Sequence, residues 1–232
     1  MNIFTIGDLH LSFAPDSNKP MDVFGEKWKD HYSKLERNWR KLIEEEDIVV
    51  VPGDISWGLK LSEAKYDFEW IDRLPGKKIF LKGNHDLWWA GITKLNRMYE
   101  SITFLQNDAY ETQLGWICGS RGWITPADED FAESDEKVYR RELLRLRASL
   151  DLVPEGEEII GFLHYPPALN PRCHSEFMDI FEAYEVRNVY YGHLHGEDAF
   201  KKAIQGRVEG VNYHLVSADY LNFCPLLVKK GD

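Results

Sequence analysis

The residues best suited to chemistry form a cluster near the middle of the chain. Asn84, His85 and Asp86 follow the short apolar run 79–81 almost directly. An amide, an imidazole and a carboxylate behind a buried strand are costly to desolvate unless something binds them. One such cluster is weak evidence for a site, so its value depends on whether the chain repeats the pattern.

The chain does repeat this pattern at further apolar runs. These runs end in carboxylates and imidazoles that could bind a metal ion: Asp8 with His10, Asp54, His164, and His193 with His195. In open α/β sheets the ligand crevice lies outside the carboxyl ends of the strands, so these side chains can converge in space. Taken singly, a Gly-Asp pair is usually a turn, and a lone histidine is more often structural than a ligand. Their joint occurrence favours a shared site.

Hydrophobic patterns indicate the elements that must position these residues. The predicted strands are 2–6, 48–51, 78–81, 102–105, 159–163, 189–191, 213–217 and 225–229, with a hairpin over 109–119. The predicted helices are 26–46, a segment that begins near Ser62 and ends at Pro75, 90–100, 134–150 and 175–185. Strands and helices alternate at first and strands dominate later, which predicts α/β layers built on two sheets. No interdomain linker is visible, so we expect a single domain over residues 1–232.

Composition restricts the class of protein. The 232 residues are 44% hydrophobic and 29% charged, which is typical of a globular protein. The formal net charge of −11 argues against a nucleic-acid partner. It does not exclude an anionic substrate, because a bound metal can reverse the local field. The three cysteines are widely spaced, and neither a signal sequence nor a membrane span is visible, so we expect a cytoplasmic protein with no membrane partner.

Five sequence blocks carry a family resemblance. In order they are Gly7-Asp8-Leu9-His10, Gly53-Asp54, Gly83-Asn84-His85-Asp86, His164 and Gly192-His193-Leu194-His195. With these blocks the sequence resembles the calcineurin-like metallophosphoesterases from residue 7 to residue 196. The resemblance implies a four-layer αββα sandwich, in which two mixed sheets are flanked by helices and hold two metal ions at the strand ends.

The resemblance also implies a role for each residue of the blocks. The metal ligands would be Asp8, His10 and His195 on one ion, Asn84, His164 and His193 on the other, and Asp54 on both. His85 would face the substrate, and Asp86 would orient the His85 ring. The implied reaction is hydrolysis of a small phosphodiester by a metal-bridging hydroxide that attacks phosphorus.

The chemistry of these residue types agrees with that implication. Carboxylate, imidazole and amide ligands suit Mn²⁺, Fe or Zn²⁺, and the lack of thiolate ligands argues against a structural zinc site. His85 could stabilise developing charge or protonate the leaving group. Two alternatives stay open: a phosphomonoesterase acting on a small metabolite or nucleotide, and a non-catalytic scaffold that retains the fold.

Departures from the family pattern indicate which branch of the family this sequence resembles most. Protein Ser/Thr phosphatases carry an arginine shortly after the second block, where this chain has the segment 55–58, Ile-Ser-Trp-Gly. They also have a glutamate in place of Asp86. The pattern is closer to the phosphodiesterase-like and nuclease-like branches, and the capping domain of the nucleases is not apparent in this sequence.

Substrate contacts are less sharply indicated. Four tryptophans near the motif loops could stack on a planar group, with simple packing as the alternative: Trp57, Trp88, Trp89 and Trp123. Arg121 could hold a phosphate oxygen, or it could pair with the acidic segment 128–136. Residues 13–30 could form a lid over the site.

Overall fold

The structure is a computed structural model that describes residues 1–15, 17, 19–168, 170 and 172–231. Asp16 and Asn18, two residues of the proposed lid 13–30, lie outside the described residues. The strands are β1 (Ile3–Thr5), β2 (Ile48–Pro52), β3 (Lys77–Leu81), β4 (Ile102–Phe104), β5 (Ala109–Thr112), β6 (Gly115–Ser120), β7 (Ile159–Leu163), β8 (Asn188–Tyr191), β9 (Gly206–Val208), β10 (Val211–Leu215) and β11 (Leu226–Lys229). The helices are α1 (His31–Leu42), α2 (Leu61–Asp72), α3 (Ile92–Leu95), α4 (Glu133–Leu150), α5 (Glu176–Ala183) and α6 (Glu197–Lys202).

The strands form two mixed sheets. The first has the order β11-β1-β2-β3-β4, and the second has the order β5-β6-β7-β8-β10-β9. Neighbours among β1 to β4 are parallel, as are neighbours among β6, β7, β8 and β10, while the remaining edge strands pair antiparallel. The loops that follow the parallel strands of one sheet therefore emerge at one edge of that sheet.

Alternate side chains of each strand face different cores, as a pleated strand requires. Val49 and Val51 of β2 pack in the cluster that includes α1, α2 and α3, whereas Val50 packs with Phe162 and Tyr190 of the other sheet. A third cluster joins the outer face of the second sheet to α4 and α5. The layers are thus helices, sheet, sheet, helices. The predicted four-layer αββα fold is confirmed, while the single domain over 1–232 stays a prediction.

The two sheets are joined by backbone hydrogen bonds at the edge where the motif loops lie. Gly7, directly after β1, donates its N–H to Val216 O at 2.8 Å. Ala218 donates in return to Gly7 O at 2.9 Å. This link ties the loop after β1 to the segment after β10, and it brings residues from the two ends of the sequence together.

Two predicted helices are wrong in extent. The helix expected over 26–46 begins only at His31, because Asp30 adopts a left-handed backbone with φ 51° and the chain before it forms 3₁₀ turns at Met21–Phe24 and Glu26–Trp28. The apolar spacing extends to Trp28 because this residue is buried in the same cluster as Leu35 and Trp39 of α1, although it lies outside the helix.

The helix expected over 90–100 covers only Ile92–Leu95. Asn96 ends it by using its side chain to pair with the backbone N–H and C=O of Phe104, at 2.6 and 3.1 Å. Neither α6 nor β9 was predicted. Within the described residues, no helix combines the length and apolarity that crossing a bilayer requires.

Replacing Phe162 by alanine tests the core between the sheets. Phe162 is fully buried and stacks on Tyr190 with ring centroids 5.4 Å apart. We expect Phe162→Ala to lower the free energy of unfolding by about 3–5 kcal/mol, measured by denaturant titration. Leu144→Ala is the control, because Leu144 is 67% exposed on α4. A loss as small as that of the control would contradict this packing.

Candidate metal centre

Asp8, His10 and His195 form the first group of candidate ligands. The loop after β1 carries Asp8 and His10, and the loop after β8 carries His195. The Nε2 atoms of His10 and His195 lie 3.1 Å apart, and Asp8 Oδ1 lies 3.8 Å from His195 Nε2. Two atoms bound to one ion at about 2.0–2.2 Å lie about 3–4 Å apart, so this spacing fits a shared ion.

Asn84, His164 and His193 form the second group. Asn84 Oδ1 lies 2.6 Å from His164 Nε2 and 3.0 Å from His193 Nδ1. The two imidazole nitrogens are 3.3 Å apart. These residues follow β3, β7 and β8, so parallel strands of both sheets contribute to one small cluster.

The Asp54 carboxylate lies between the two groups. Its Oδ2 atom is 3.8 Å from His10 Nε2 and 3.5 Å from His164 Nε2. Its Oδ1 atom accepts a hydrogen bond of 2.8 Å from the His85 backbone N–H. Asp54 therefore occupies the position that a ligand shared by two ions would need.

The hydrogen bonds around two of the imidazoles leave lone pairs that face other acceptors. His164 Nδ1 donates to Pro52 O at 3.0 Å, so its Nε2 carries a lone pair that points toward Asn84 Oδ1 and Asp54 Oδ2. His195 Nδ1 lies 2.9 Å from Asp219 Oδ1, which likewise leaves Nε2 as an acceptor. Cations between these atoms would satisfy them, and the residues present therefore fit a metal site.

Burial also shifts the pKa values of the candidate ligands. It lowers the pKa of His164 and of His193 to about 3, so both rings are neutral at pH 7. The same desolvation raises the pKa of Asp8 to about 7 and also raises that of Asp54. Neutral imidazoles bind metals directly, and a nearby cation would favour the charged form of both carboxylates.

The backbone at these positions is strained. Asp8, His10, Asp54 and His193 all have left-handed conformations, with φ of 57°, 47°, 52° and 73°. Such a conformation costs about 1–3 kcal/mol for a residue other than glycine, and it is typical of functional sites. The neighbouring Gly192 is needed for a different reason, because a Cβ there would collide with Asp8 Oδ2.

Asp86 binds the backbone of the site loops, and its implied role in orienting the His85 ring stays a prediction. Its carboxylate accepts hydrogen bonds from the backbone N–H groups of Asp54, Ile55, Ser56 and Gly83, at 2.7–3.3 Å. It thereby fixes the two loops that carry Asp54 and Asn84. No hydrogen bond joins it to the His85 ring in the described part of the chain, and that ring instead packs on Trp57 with centroids 4.2 Å apart.

Arg121 pairs with a residue that neither sequence hypothesis named. Its Nη2 atom lies 3.2 Å from Oε1 of the buried Glu142 in α4, and its guanidinium lies over Trp123 at 4.4 Å. Glu142 is outside the acidic segment 128–136. A phosphate contact by Arg121 stays a prediction. In the structure its guanidinium forms an ion pair with the Glu142 carboxylate.

The four tryptophans divide between packing and the site. Trp88 is buried against Phe68, Trp89 packs on Phe104, and Trp123 packs on Tyr165. Trp57 alone of the four stacks on candidate site residues: its ring centroid is 4.9 Å from that of His10. Simple packing therefore accounts for the other three.

Asp219 belongs to the site but was not identified from the sequence. Besides its contact with His195, it accepts a 3.3 Å hydrogen bond from Gly196 N. A signal was present, since Asp219 lies two residues after the predicted strand 213–217, just as Asp8 lies two residues after the predicted strand 2–6.

A comparison with family models identifies the family to which this site belongs. A model described as calcineurin-like phosphoesterase matches residues 1–197. The chain belongs to the calcineurin-like phosphoesterase family. This membership confirms the resemblance and supports the expected enzyme class, a metal-dependent phosphoesterase.

One relative aligns with part of this chain. An uncharacterized protein of Methanocaldococcus jannaschii is 32% identical over 87 residues, which are 36% of this chain and 46% of that protein. The chain thus aligns with less than half the length of this relative.

Two solved structures share the fold at 15% sequence identity. Phosphopantetheinyl hydrolase from Mycobacterium tuberculosis aligns with a TM-score of 0.56, over 93% of this chain and 88% of that chain. A protein of unknown function from Aquifex aeolicus aligns with a TM-score of 0.53, over 97% and 94%. At this identity the likeness shows the fold alone.

The contact between Asp219 and His195 generates a prediction about metal affinity. Asp219→Asn removes the negative charge that orients the imidazole and raises its basicity, so we expect metal affinity to fall by about 10–100-fold. The measurement is calorimetric titration of the metal-free protein with Mn²⁺. Asp198→Asn is the charge-matched control, because the Asp198 side chain is 96% exposed. Equal affinity in the two variants would contradict a role for Asp219.

Proposed function

We propose that this protein is a dinuclear metal-dependent phosphohydrolase that acts on small phosphodiesters. The observation that carries the proposal is the position of Asp54, whose Oδ2 atom lies within 3.8 Å of His10 and 3.5 Å of His164, one from each group of ligands. A carboxylate in this position could coordinate both ions of a two-metal site. The ions themselves, when present, would supply positive charge that activates water and binds phosphoryl oxygens.

The residues of the two groups would divide the ligands between the ions. The first ion would be held by Asp8, His10 and His195, the second by Asn84, His164 and His193, with Asp54 on both. The absence of thiolate from this set favours Mn²⁺, Fe or Zn²⁺ in a catalytic role.

His85 is the proposed catalytic residue. Its backbone is fixed by Asp54, its ring is fixed by Trp57, and it lines the cavity beside the metal centre. In the hydrolysis, a water oxygen bonds to phosphorus, the ester P–O bond breaks, and the alcohol leaves with a proton. His85 can give that proton to the leaving oxygen or stabilise its charge.

The comparisons support phosphoester hydrolysis more directly than any one substrate. One structurally similar protein is named a phosphopantetheinyl hydrolase, which is consistent with a hydrolase acting on a phosphate-containing substrate. A phosphomonoesterase and a non-catalytic scaffold are the alternatives.

The net charge of −11 argues against nucleic-acid substrates. The cytoplasmic location stays a prediction.

A screen of model esters tests the proposal. The metal-free protein is reconstituted with Mn²⁺ and assayed on bis(p-nitrophenyl) phosphate and on p-nitrophenyl phosphate. We expect faster hydrolysis of the diester, and loss of that activity on chelation. Preference for the monoester would favour a phosphomonoesterase, whereas full metal content with no hydrolysis of either ester would favour a scaffold.

Substitution of His85 tests its proposed role separately from metal binding. We expect His85→Ala to retain its metal, because its side chain is not among the ligands, and to lose about 10²–10⁴-fold in kcat. Metal content by elemental analysis and kcat on the diester are measured on the same sample. Unchanged turnover at full metal content would exclude His85 from the reaction.

A further inference from the structure

A cavity of about 500 Å³ opens directly beside the candidate metal centre. His10, His85 and His195 form the side that faces the metal ligands. The apolar part of the lining consists of Met21, Phe24, Trp28, Trp57 and Phe200. A cavity of this volume can hold a small molecule, and an apolar wall next to a few polar groups is the usual composition of a ligand site.

The aromatic wall is held rigidly against the imidazoles. Trp57 donates its indole N–H to Met21 Sδ at 3.1 Å, and its ring stacks on His10. Trp28 is 97% shielded from solvent and meets His195 edge to face, with centroids 5.5 Å apart. The cavity and the metal centre therefore share residues, and a molecule bound at one extends into the other.

Phe24 makes the cavity entrance unusually apolar. It is 66% exposed although it lies within a 3₁₀ turn that buries its neighbour Met21. An exposed large apolar side chain is unremarkable alone, but one that lines a cavity gains free energy when an apolar ligand covers it. Gly25, with φ 118°, then redirects the chain so that Trp28 also faces the cavity.

The charges at this end of the cavity do not favour an anionic occupant. Three carboxylates line the cavity: Glu26 and Glu197 are exposed, and Asp219 contacts His195. The ammonium groups of Lys27 and Lys19 lie over the Phe200 and Trp57 rings, so the acidic groups outnumber the ammonium groups by one. A neutral apolar group suits both the wall and the charges.

We infer that this cavity binds the organic part of the substrate, and that this part is a neutral apolar or aromatic group linked to the phosphate at the metal centre. The inference rests on the proposed function and deepens it, since it names the class of ester. Compact polar esters would leave the exposed surface of Phe24 and Phe200 uncovered, and apolar or aryl esters would cover it.

Binding of two phosphonates to the manganese-reconstituted protein tests the inference without any chemical step. Phenylphosphonate and methylphosphonate share the metal-binding group and differ in the organic part. We expect phenylphosphonate to bind about ten- to hundredfold more tightly in calorimetric titrations. Equal dissociation constants, or no measurable binding of either compound, would overturn the inference.

Substitutions in the cavity test whether its apolar residues cause the preference for phenylphosphonate. Phe24→Ala should reduce the ratio of the two dissociation constants several-fold, and the exposure of Phe24 makes this variant compatible with folding. Phe200→Ala is the second variant, and Leu144→Ala is the control on a distant exposed leucine of α4. A ratio that is unchanged in both cavity variants would place the phenyl group elsewhere and overturn the inference.

A hydrolysis assay separates this inference from the proposed function. The assay on bis(p-nitrophenyl) phosphate tests the reaction, and the phosphonate titrations test the cavity. Hydrolysis of the diester together with equal dissociation constants for the two phosphonates would support the proposed function and overturn the cavity inference. No hydrolysis, with phenylphosphonate still bound preferentially, would overturn the proposed function and support the cavity as a binding site.

Discussion

The site depends on one electrostatic constraint: carboxylates and neutral imidazoles are packed together in a place that water barely reaches. Asp8 and His164 are fully buried, and Asp54 is 1% exposed between the two groups of ligands. Without a cation such a cluster is costly, because lone pairs face one another and burial disfavours both charged carboxylates. With cations between them, the same atoms become a preformed set of ligands, and Asp54 Oδ2 belongs to both groups.

The fold supports this cluster through the backbone as well as through packing. The hydrogen bonds between Gly7 and the segment 216–218 join the two sheets at the edge where the motif loops meet. The Asp86 carboxylate then fixes the loops after β2 and β3 by accepting four backbone N–H groups. Four candidate ligands have left-handed backbone conformations, which orient their side chains toward the cluster. The surrounding hydrogen bonds stabilise these strained conformations.

The surroundings of the site differ on its two sides. Next to His10, His85 and His195 lies the aromatic cavity built by the segment 21–28, Trp57 and Phe200. Next to His193 lies Tyr165, whose ring centroid is 4.2 Å away and which packs on Trp123 beneath the ion-paired Arg121. The cavity therefore combines residues of the motif blocks with residues from outside them.

The sequence alone predicted the candidate ligands and the layered fold. Each ligand directly follows an apolar run, and strand periodicity is a local property, so both can be predicted without knowing what lies nearby in space. The tertiary structure decided what depends on distant contacts: that Asp86 binds the amides of residues 54–56, that Asp219 supports His195, and that Arg121 pairs with Glu142. It also decided where α1 begins, because the left-handed Asp30 interrupts an apolar pattern that continues in the sequence. Trp28 packs in the same cluster as Leu35 of α1 and also lines the cavity.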